Sequence, residues 1–489
     1  MTPADVDRPS VKRRVVRGVA WTLPTSLGAR AVGLVGTLLL TRYLAPAEYG
    51  EVTAAAIAAL TANGVTTFGV GTYLVAHGEI PRRDAFHVTS WFLATGLIAV
   101  VALLTLGGPL GAWSDARLER FVPWFAASVV LDRVAYVPER ILVRRLRFRW
   151  LSLARSAAEV AYTGVSLAGA VLGAGAVAVA WGAVARSALR FAAIVPAVDW
   201  RDWLEPHRLR LTTMTGIVRY GADVSVAAVA NVLLRRWDNM LVSRYFGPAA
   251  MGAYNYAYNL ADTPATAVGE QMVDVVGASF PHVEPQGRAD ALLHAWTMTA
   301  LVMLPLAFGL GSVAETVVQT FLDERWHDVG SMMALLAAVA ATRPLAELLR
   351  SYLYACERPR VVAWLEWMGL GALVVALATV GRTGIGWACA SVSSAFALRL
   401  LASLGAVRRV DGIPLARFLR PLVGPLATCA AMAAAIALAR PALQGATPVV
   451  RLTVEVILGA MVYVSGALLL FRASARDLLG LARSALGRR

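Results

Sequence analysis

The chain of 489 residues has a single lysine, Lys12. A nucleotide-binding P-loop needs a lysine directly after its glycines to reach the phosphates. Lys12 has no such glycines before it, so ATP binding of that kind is excluded. The three cysteines, Cys356, Cys389 and Cys429, show no CxxC spacing and support neither a disulfide framework nor a zinc centre. They read as small buried hydrophobes. His77, His87, His207, His282, His294 and His327 are equally dispersed, without metal-ligand spacing, and neither a metal nor a cofactor is expected. Charge is scarce too: 16% of residues are charged and 58% hydrophobic, with a mean hydropathy of +0.61. Water is therefore not the main solvent. In lipid the backbone must satisfy its own hydrogen bonds, as helices or as a closed barrel. A barrel needs short alternating segments, and the apolar runs here are long.

The net charge of +15 does not point to nucleic acid, because the arginines lie between the apolar runs and form no continuous basic domain. A span takes roughly 20 apolar residues. On that scale the chain is an all-α polytopic membrane protein of about fourteen transmembrane helices. The first six lie near 19–41, 49–75, 86–107, 119–138, 151–172 and 175–197. A second six lie near 217–243, 251–278, 290–312, 329–354, 361–381 and 384–406, and two more near 418–439 and 450–471. The first run is long enough to span, so no cleavable leader is expected. Lys12, Arg13, Arg14, Arg140, Arg144, Arg145, Arg147, Arg149, Arg408, Arg409, Arg488 and Arg489 fall at the termini and even-numbered loops. The positive-inside rule then puts both termini in the cytoplasm. Asp323-Glu324-Arg325 falls outside.

An internal repeat organises these spans. Arg42-Tyr43-Leu44-Ala45-Pro46-Ala47-Glu48-Tyr49-Gly50 recurs as Arg244-Tyr245-Phe246-Gly247-Pro248-Ala249-Ala250-Met251-Gly252, and Val16-Arg17 matches Val218-Arg219 in the same register. Six helices separate the copies, so the repeats are parallel in the membrane.

These residues carry a resemblance. Segment 17–50, with Arg42-Tyr43-Leu44, Pro46 and Gly50, resembles the start of polysaccharide flippases of the multidrug/oligosaccharidyl-lipid/polysaccharide superfamily. Arg236-Trp237-Asp238-Asn239-Met240-Leu241-Val242-Ser243-Arg244-Tyr245-Phe246-Gly247 followed by Gly252-Ala253-Tyr254 is similar to that family's seventh helix and turn, and Phe280-Pro281 to the end of its eighth. The resemblance implies two pseudo-symmetric six-helix lobes around a central cavity, 19–205 and 206–407. Peripheral helices 13 and 14 would occupy 408–471, between cytoplasmic segments 1–18 and 472–489. It further implies alternating access in a bacterial-type cytoplasmic membrane and no enzymatic activity. The cargo would be a polyprenyl-diphosphate-linked oligosaccharide moved to the outer leaflet for cell-surface polysaccharide biosynthesis, with a polysaccharide polymerase or export proteins as partners.

Charged residues at bilayer depth normally face a cavity or a partner. Arg30 lies halfway along the first helix; Asn231, Arg235, Arg236 and Asp238 lie in the seventh. At 100° per residue Asn231, Arg235 and Asp238 form one polar stripe, with Arg236 elsewhere. Arg30 aligns with Val232 in the repeat, one turn from Arg235 or Arg236. Guanidinium groups bind phosphate oxygens bidentately, so these five are the candidate substrate residues. An Arg235–Asp238 ion pair at i, i+3 is the structural alternative. Asp223, Asp262, Glu270 and Asp274 are carboxylates available for a coupling cation, with Asp223 and Glu270 the foremost. Arg155 with Glu159, and Arg343 with Glu347 and Arg350, have the spacing of structural pairs. Arg186, Arg190 and Arg399 read as snorkelling to the interface. Tyr254-Asn255-Tyr256-Ala257-Tyr258-Asn259 reads as an interfacial anchor. Rival functions are a lipid-linked peptidoglycan precursor flippase, a cation-coupled multidrug exporter and, in a different class, a membrane glycosyltransferase or polymerase. The last usually needs a sizeable outer loop, which the chain lacks.

Overall fold

The computed structural model describes residues 28–29, 32–67, 81–209, 211–279 and 285–472, with side chains throughout except at 211–224, 267–268, 270–279 and 285. Among the described residues there is no strand. Residues 32–40 are helical, and α1 (Pro46–Val65) follows after a short turn. Then come α2 (Arg82–Ser114), α3 (Val122–Arg144), α4 (Phe148–Val171) and α5 (Val177–Ile194). The long run α6 (Leu211–Ser279) is interrupted at Gly247. It is followed by α7 (Arg288–Phe321), α8 (Val329–Ala355), α9 (Pro359–Thr379), α10 (Ile385–Asp411), the short α11 (Leu415–Leu419), α12 (Val423–Ala439) and α13 (Pro448–Leu470). Among the described residues, eight helical segments are long and apolar enough to cross a membrane: α2, α5, α7, α8, α9, α10, the α11–α12 segment and α13. The expected ends are close: the run expected at 329–354 is Val329–Ala355, and that expected at 450–471 is Pro448–Leu470.

Local chemistry explains these ends. Proline opens α1, α9 and α13, where its missing N–H costs nothing and its φ suits a helix. In α1 the Glu48 carboxylate also accepts the Ala45 N–H at 3.0 Å. α10 stops at Gly412, whose left-handed φ of 70° lets its N–H reach the Arg408 carbonyl at 2.9 Å. Pro109, Pro138, Pro305 and Pro344 sit inside α2, α3, α7 and α8, as membrane helices tolerate when neighbours satisfy the freed carbonyls.

Two compact units divide the chain, Met1–Gly252 and Ala253–Arg489. In the first, α3 and α4 each pack along α5, and α1 lies against α2 and α3. Its core joins Val88 and Phe92 of α2 to Val137 and Ile141 of α3, Leu151 of α4 and Ile194 of α5. The connector after α5 returns into this core through buried Trp203. Asp202 and Glu205 fasten it to Arg82 at 3.4 Å each, and Asp202 to Arg145 at 2.5 Å. In the second unit α8 packs on α7 and α10, α9 on α10, and the α12–α13 pair on α7. Trp296 donates to the Phe418 carbonyl at 3.0 Å and Tyr463 to the Leu301 carbonyl at 2.8 Å, tying the last helices to α7.

Candidate functional site

The repeated motif meets itself inside the first unit. Gly247 takes φ 81° and ψ 173°, a conformation open to glycine and strained for other residues. Beyond it residues 248–252 cross the start of α1. A Cβ added at Gly50 would lie 1.9 Å from the Pro248 carbonyl oxygen, and one at Gly252 would lie 1.9 Å from that of Pro46. The contact is reciprocal, copy against copy. It explains why each motif keeps a proline and a glycine four residues apart: only a residue without a side chain lets the two backbones approach this closely.

Before the break, the 211–246 arm of α6 holds four of the five candidate substrate residues. Asn231 and Asp238 are buried, and Arg235 and Arg236 are half-buried. Asp238 accepts hydrogen bonds from the Asn239 backbone N–H and side-chain amide, both at 2.9 Å. No ion pair joins Arg235 to Asp238, so the i, i+3 alternative is not formed. Among the described residues no hydrogen bond or ion pair engages Arg235 or Arg236. Arg235 lies eleven residues, about 17 Å at 1.5 Å per residue, before the arm's end. Trp237 and Met240 turn the other way, into a 320 Å³ apolar pocket with Ile57, Ala58, Leu103 and Leu106, where the Trp237 indole donates to Thr61 Oγ1 at 3.1 Å. Arg30, and the side chains of Asp223, Glu270 and Asp274, lie outside the described residues, as do Phe280 and Pro281. Asp262 is described, and it pairs with Arg343 of α8. No group of three or more His, Cys, Asp or Glu with metal-binding geometry occurs among the described residues.

Several charges are held by partners that spacing along one helix does not reveal. Arg155 reaches Glu139 of α3 at 3.1 Å through Nε, not Glu159 on its own helix. Arg190 donates to Glu139 at 3.0 Å and to Asp132 at 3.3 Å, and Arg186 pairs with Glu159 at 3.7 Å, so neither arginine snorkels alone. Arg399 is only 2% exposed and binds Glu366 at 2.6 Å and Glu347 at 3.4 Å, the opposite of an interfacial arginine. Arg350 with Glu347 matches the expected spacing. Arg133, also buried, has no carboxylate partner among the described residues. Its guanidinium lies 4.3 Å from the Phe92 ring centre and donates to the carbonyls of Asn63 (2.7 Å) and Thr66 (3.4 Å), closing the C-terminal end of α1. Tyr254, Asn255, Tyr256 and Tyr258 are buried among protein side chains. Tyr256 packs 5.0 Å from buried Trp326, and Tyr254 lies 6.2 Å from Tyr258.

The sequence profile described as "Polysaccharide biosynthesis protein" matches residues 39–331, well over half of the chain. The chain belongs to this family. Among curated members of similar sequence, the succinoglycan biosynthesis transport protein ExoT of Rhizobium meliloti (strain 1021) is 24% identical, over 96% of each chain. The lipopolysaccharide biosynthesis protein WzxC of Escherichia coli (strain K12) is 19% identical over 71% of each. Of solved structures, the lipid II flippase MurJ in an inward closed conformation superposes with a TM-score of 0.77 at 14% identity, covering 92% of this chain and 98% of that one. An inward-facing multidrug resistance MATE family transporter gives 0.60 at 14% identity, over 78% and 96%. This member of the polysaccharide biosynthesis family thus has the MurJ/MATE fold of membrane transporters.

Proposed function

We propose that the protein carries a polyprenyl-diphosphate-linked oligosaccharide from the cytoplasmic to the outer leaflet of a bacterial-type cytoplasmic membrane by alternating access. On this reading lobes 19–205 and 206–407 comprise six helices each, with 408–471 as a peripheral pair in a fourteen-helix chain. The termini, 1–18 and 472–489, are cytoplasmic. Family membership, a relative named for succinoglycan transport and the fold all support a flippase. The observation that carries an anionic cargo is Arg235: a guanidinium about 17 Å from the end of its helical arm, with no carboxylate engaged among the described residues. A fixed charge at that depth is costly unless it faces a cavity or ligand, and a diphosphate matches its fork of donors. Arg30, Asn231, Arg236 and Asp238 complete the proposed contact set. Asp223 and Glu270 are the proposed coupling carboxylates.

The charge of the cargo also bears on energy. Two negative charges moving outward through an inside-negative field gain roughly 4.6 kcal/mol per 100 mV, at about 2.3 kcal/mol per charge. Proteoliposomes with a lipid-linked glycan and an imposed potential test both points. Flipping is expected to rise with the potential and to be lost in Arg235→Ala, with partial recovery in Arg235→Lys, which lacks the fork. Full activity of Arg235→Ala would remove the diphosphate role, and flipping that requires added nucleotide would defeat gradient drive.

A further inference from the structure

We propose that the connector after α5 is a docking surface for anionic phospholipid headgroups, a function that goes beyond the transport reading. The candidate span Val177–Ala197 ends just before it, so the connector, 199–209, lies where the chain leaves a bilayer. On the orientation proposed above, that leaflet is the cytoplasmic one. By composition the segment is nearly balanced: Asp199, Asp202 and Glu205 stand against Arg201 and Arg208. Folding separates the two signs. Asp199 accepts the Arg201 backbone N–H at 3.0 Å, which caps the 3-10 turn Trp200–Asp202. Asp202 is held by Arg82 and Arg145, and Glu205 by Arg82. All three carboxylates are thereby engaged, two of them with arginines at the ends of α2 and α3. Arg201 and Arg208 are both exposed, and neither meets a carboxylate among the described residues.

Apolar side chains are sorted in the same way. Trp203 is buried in the core of the unit with Leu151 and Ile194. Trp200, Leu204 and Leu209 are instead 53%, 37% and 58% exposed. The Arg201 guanidinium lies 5.7 Å from the Trp200 ring centre, within cation–π range. The ion pairs and Trp203 hold the segment to the unit, so the two arginines are presented on a fastened backbone.

Exposed tryptophan beside arginine at the end of a span is the chemistry of the headgroup level. Guanidinium forks take phosphate oxygens, and one basic residue at an anionic leaflet is worth roughly fivefold in binding. A choline headgroup carries its own cation against the phosphate, whereas a glycerol headgroup leaves the phosphate charge for the arginines. An acidic protein would complement Arg201 and Arg208 but not the exposed Trp200, Leu204 and Leu209 at the edge of a span. An anionic phospholipid meets both, with its headgroup on the arginines and its glycerol and upper chain against the apolar side chains.

The probe is native mass spectrometry of the full chain released from vesicles holding equal amounts of phosphatidylglycerol and phosphatidylcholine of one chain composition. The glycerol lipid is expected to be retained over the choline lipid by roughly fivefold for each arginine engaged. Arg201→Gln combined with Arg208→Gln should remove most of that preference while lipid is still retained. Arg408→Gln combined with Arg409→Gln removes two exposed arginines at the end of α10 instead, and should leave the preference largely intact. Equal retention of both lipids by the unaltered chain overturns the proposal, as does an undiminished preference after the change at 201 and 208. An equal loss in the two double variants also overturns it, because the preference would then report net charge and not this surface. Equal lipid retention, together with polyglutamate that binds the unaltered chain but not the 201 and 208 variant, would make the occupant an acidic protein instead. Glycan flipping by the same variants tests the transport reading separately, since Arg201 and Arg208 lie outside the proposed cargo contacts.

Discussion

The helix triplets α3–α4–α5 and α8–α9–α10, one in each unit, begin with the same turn and differ in how they handle charge. Both first turns are built alike. In one, the N–H groups of Arg145, Leu146 and Arg147 reach the carbonyls of Ile141, Val143 and Leu142 at 2.9, 3.0 and 3.0 Å. In the other, those of Cys356, Glu357 and Arg358 reach Tyr352, Tyr354 and Leu353 at 2.9, 3.0 and 3.0 Å. The middle residue is left-handed in both, Leu146 at φ 55° and Glu357 at φ 57°. The side chains diverge. Around Glu139 the first triplet keeps an open ladder, with Arg155 54% exposed. The second seals Arg399 against Glu366, at 2% and 1% exposure. Backbone geometry repeats because it follows from hydrogen bonding common to any helix end. Electrostatics can diverge because each ion network closes on its own set of cross-helix partners.

The largest expected effect comes from the sealed side. Glu366→Ala leaves Arg399 buried beside Glu347 alone and should destabilise the protein by about 3–5 kcal/mol, whereas a paired Glu366→Leu/Arg399→Leu replacement should cost far less. Thermal unfolding in detergent reads both, and equal losses would show that burial does not set the cost. Next is the reciprocal crossing. Gly50→Ala and Gly252→Ala each push a Cβ into a backbone carbonyl and should each cost about 1–3 kcal/mol by overpacking. Because the contact is symmetric the two losses should match, and a large difference measured in the same unfolding assay would break the symmetry argument. On the open side, Arg155→Ala should cost no more than about 1 kcal/mol, because the arginine removed is half exposed and Arg190 still pairs with the buried Glu139. A loss as large as that of Glu366→Ala would abolish the contrast.

The last prediction carries no stability change and concerns topology. In a cysteine-free background, cysteines at Arg145 and Arg409 should escape an impermeant maleimide added outside, and one at Arg325 should react. Arg325 is half exposed, whereas its neighbour Trp326 is fully buried and a poor reporter. Labelling at Arg409 from outside would invert the proposed orientation.

Much of this was legible from residues alone, for a physical reason. Hydropathy and helix length are one-dimensional properties, so the ends of α8 and α13 fall within two residues of expectation. The repeat was visible because Pro46 and Pro248 start helices, and Gly50 and Gly252 are required where a Cβ would strike a carbonyl. Asn231, Arg235, Arg236 and Asp238 lie on one helical arm, while Arg30 lies outside the described residues. Partner choice was not legible. Periodicity sees only neighbours three or four residues away, so Arg155 was matched to Glu159 although Glu139 lies closer across the helix interface. The same limit hid the burial of Arg399 and of Tyr254, Tyr256 and Tyr258, since composition assigns arginine and tyrosine to the interface regardless of the helices packed around them. Sequence determined that this chain is a bundle of membrane helices carrying a repeated motif, because solvent and hydrogen bonding dictate the helices. Which charges are sealed and which stand open were decided only by tertiary packing. Those properties depend on distances between helices far apart in the chain, and no spacing along a single helix encodes them.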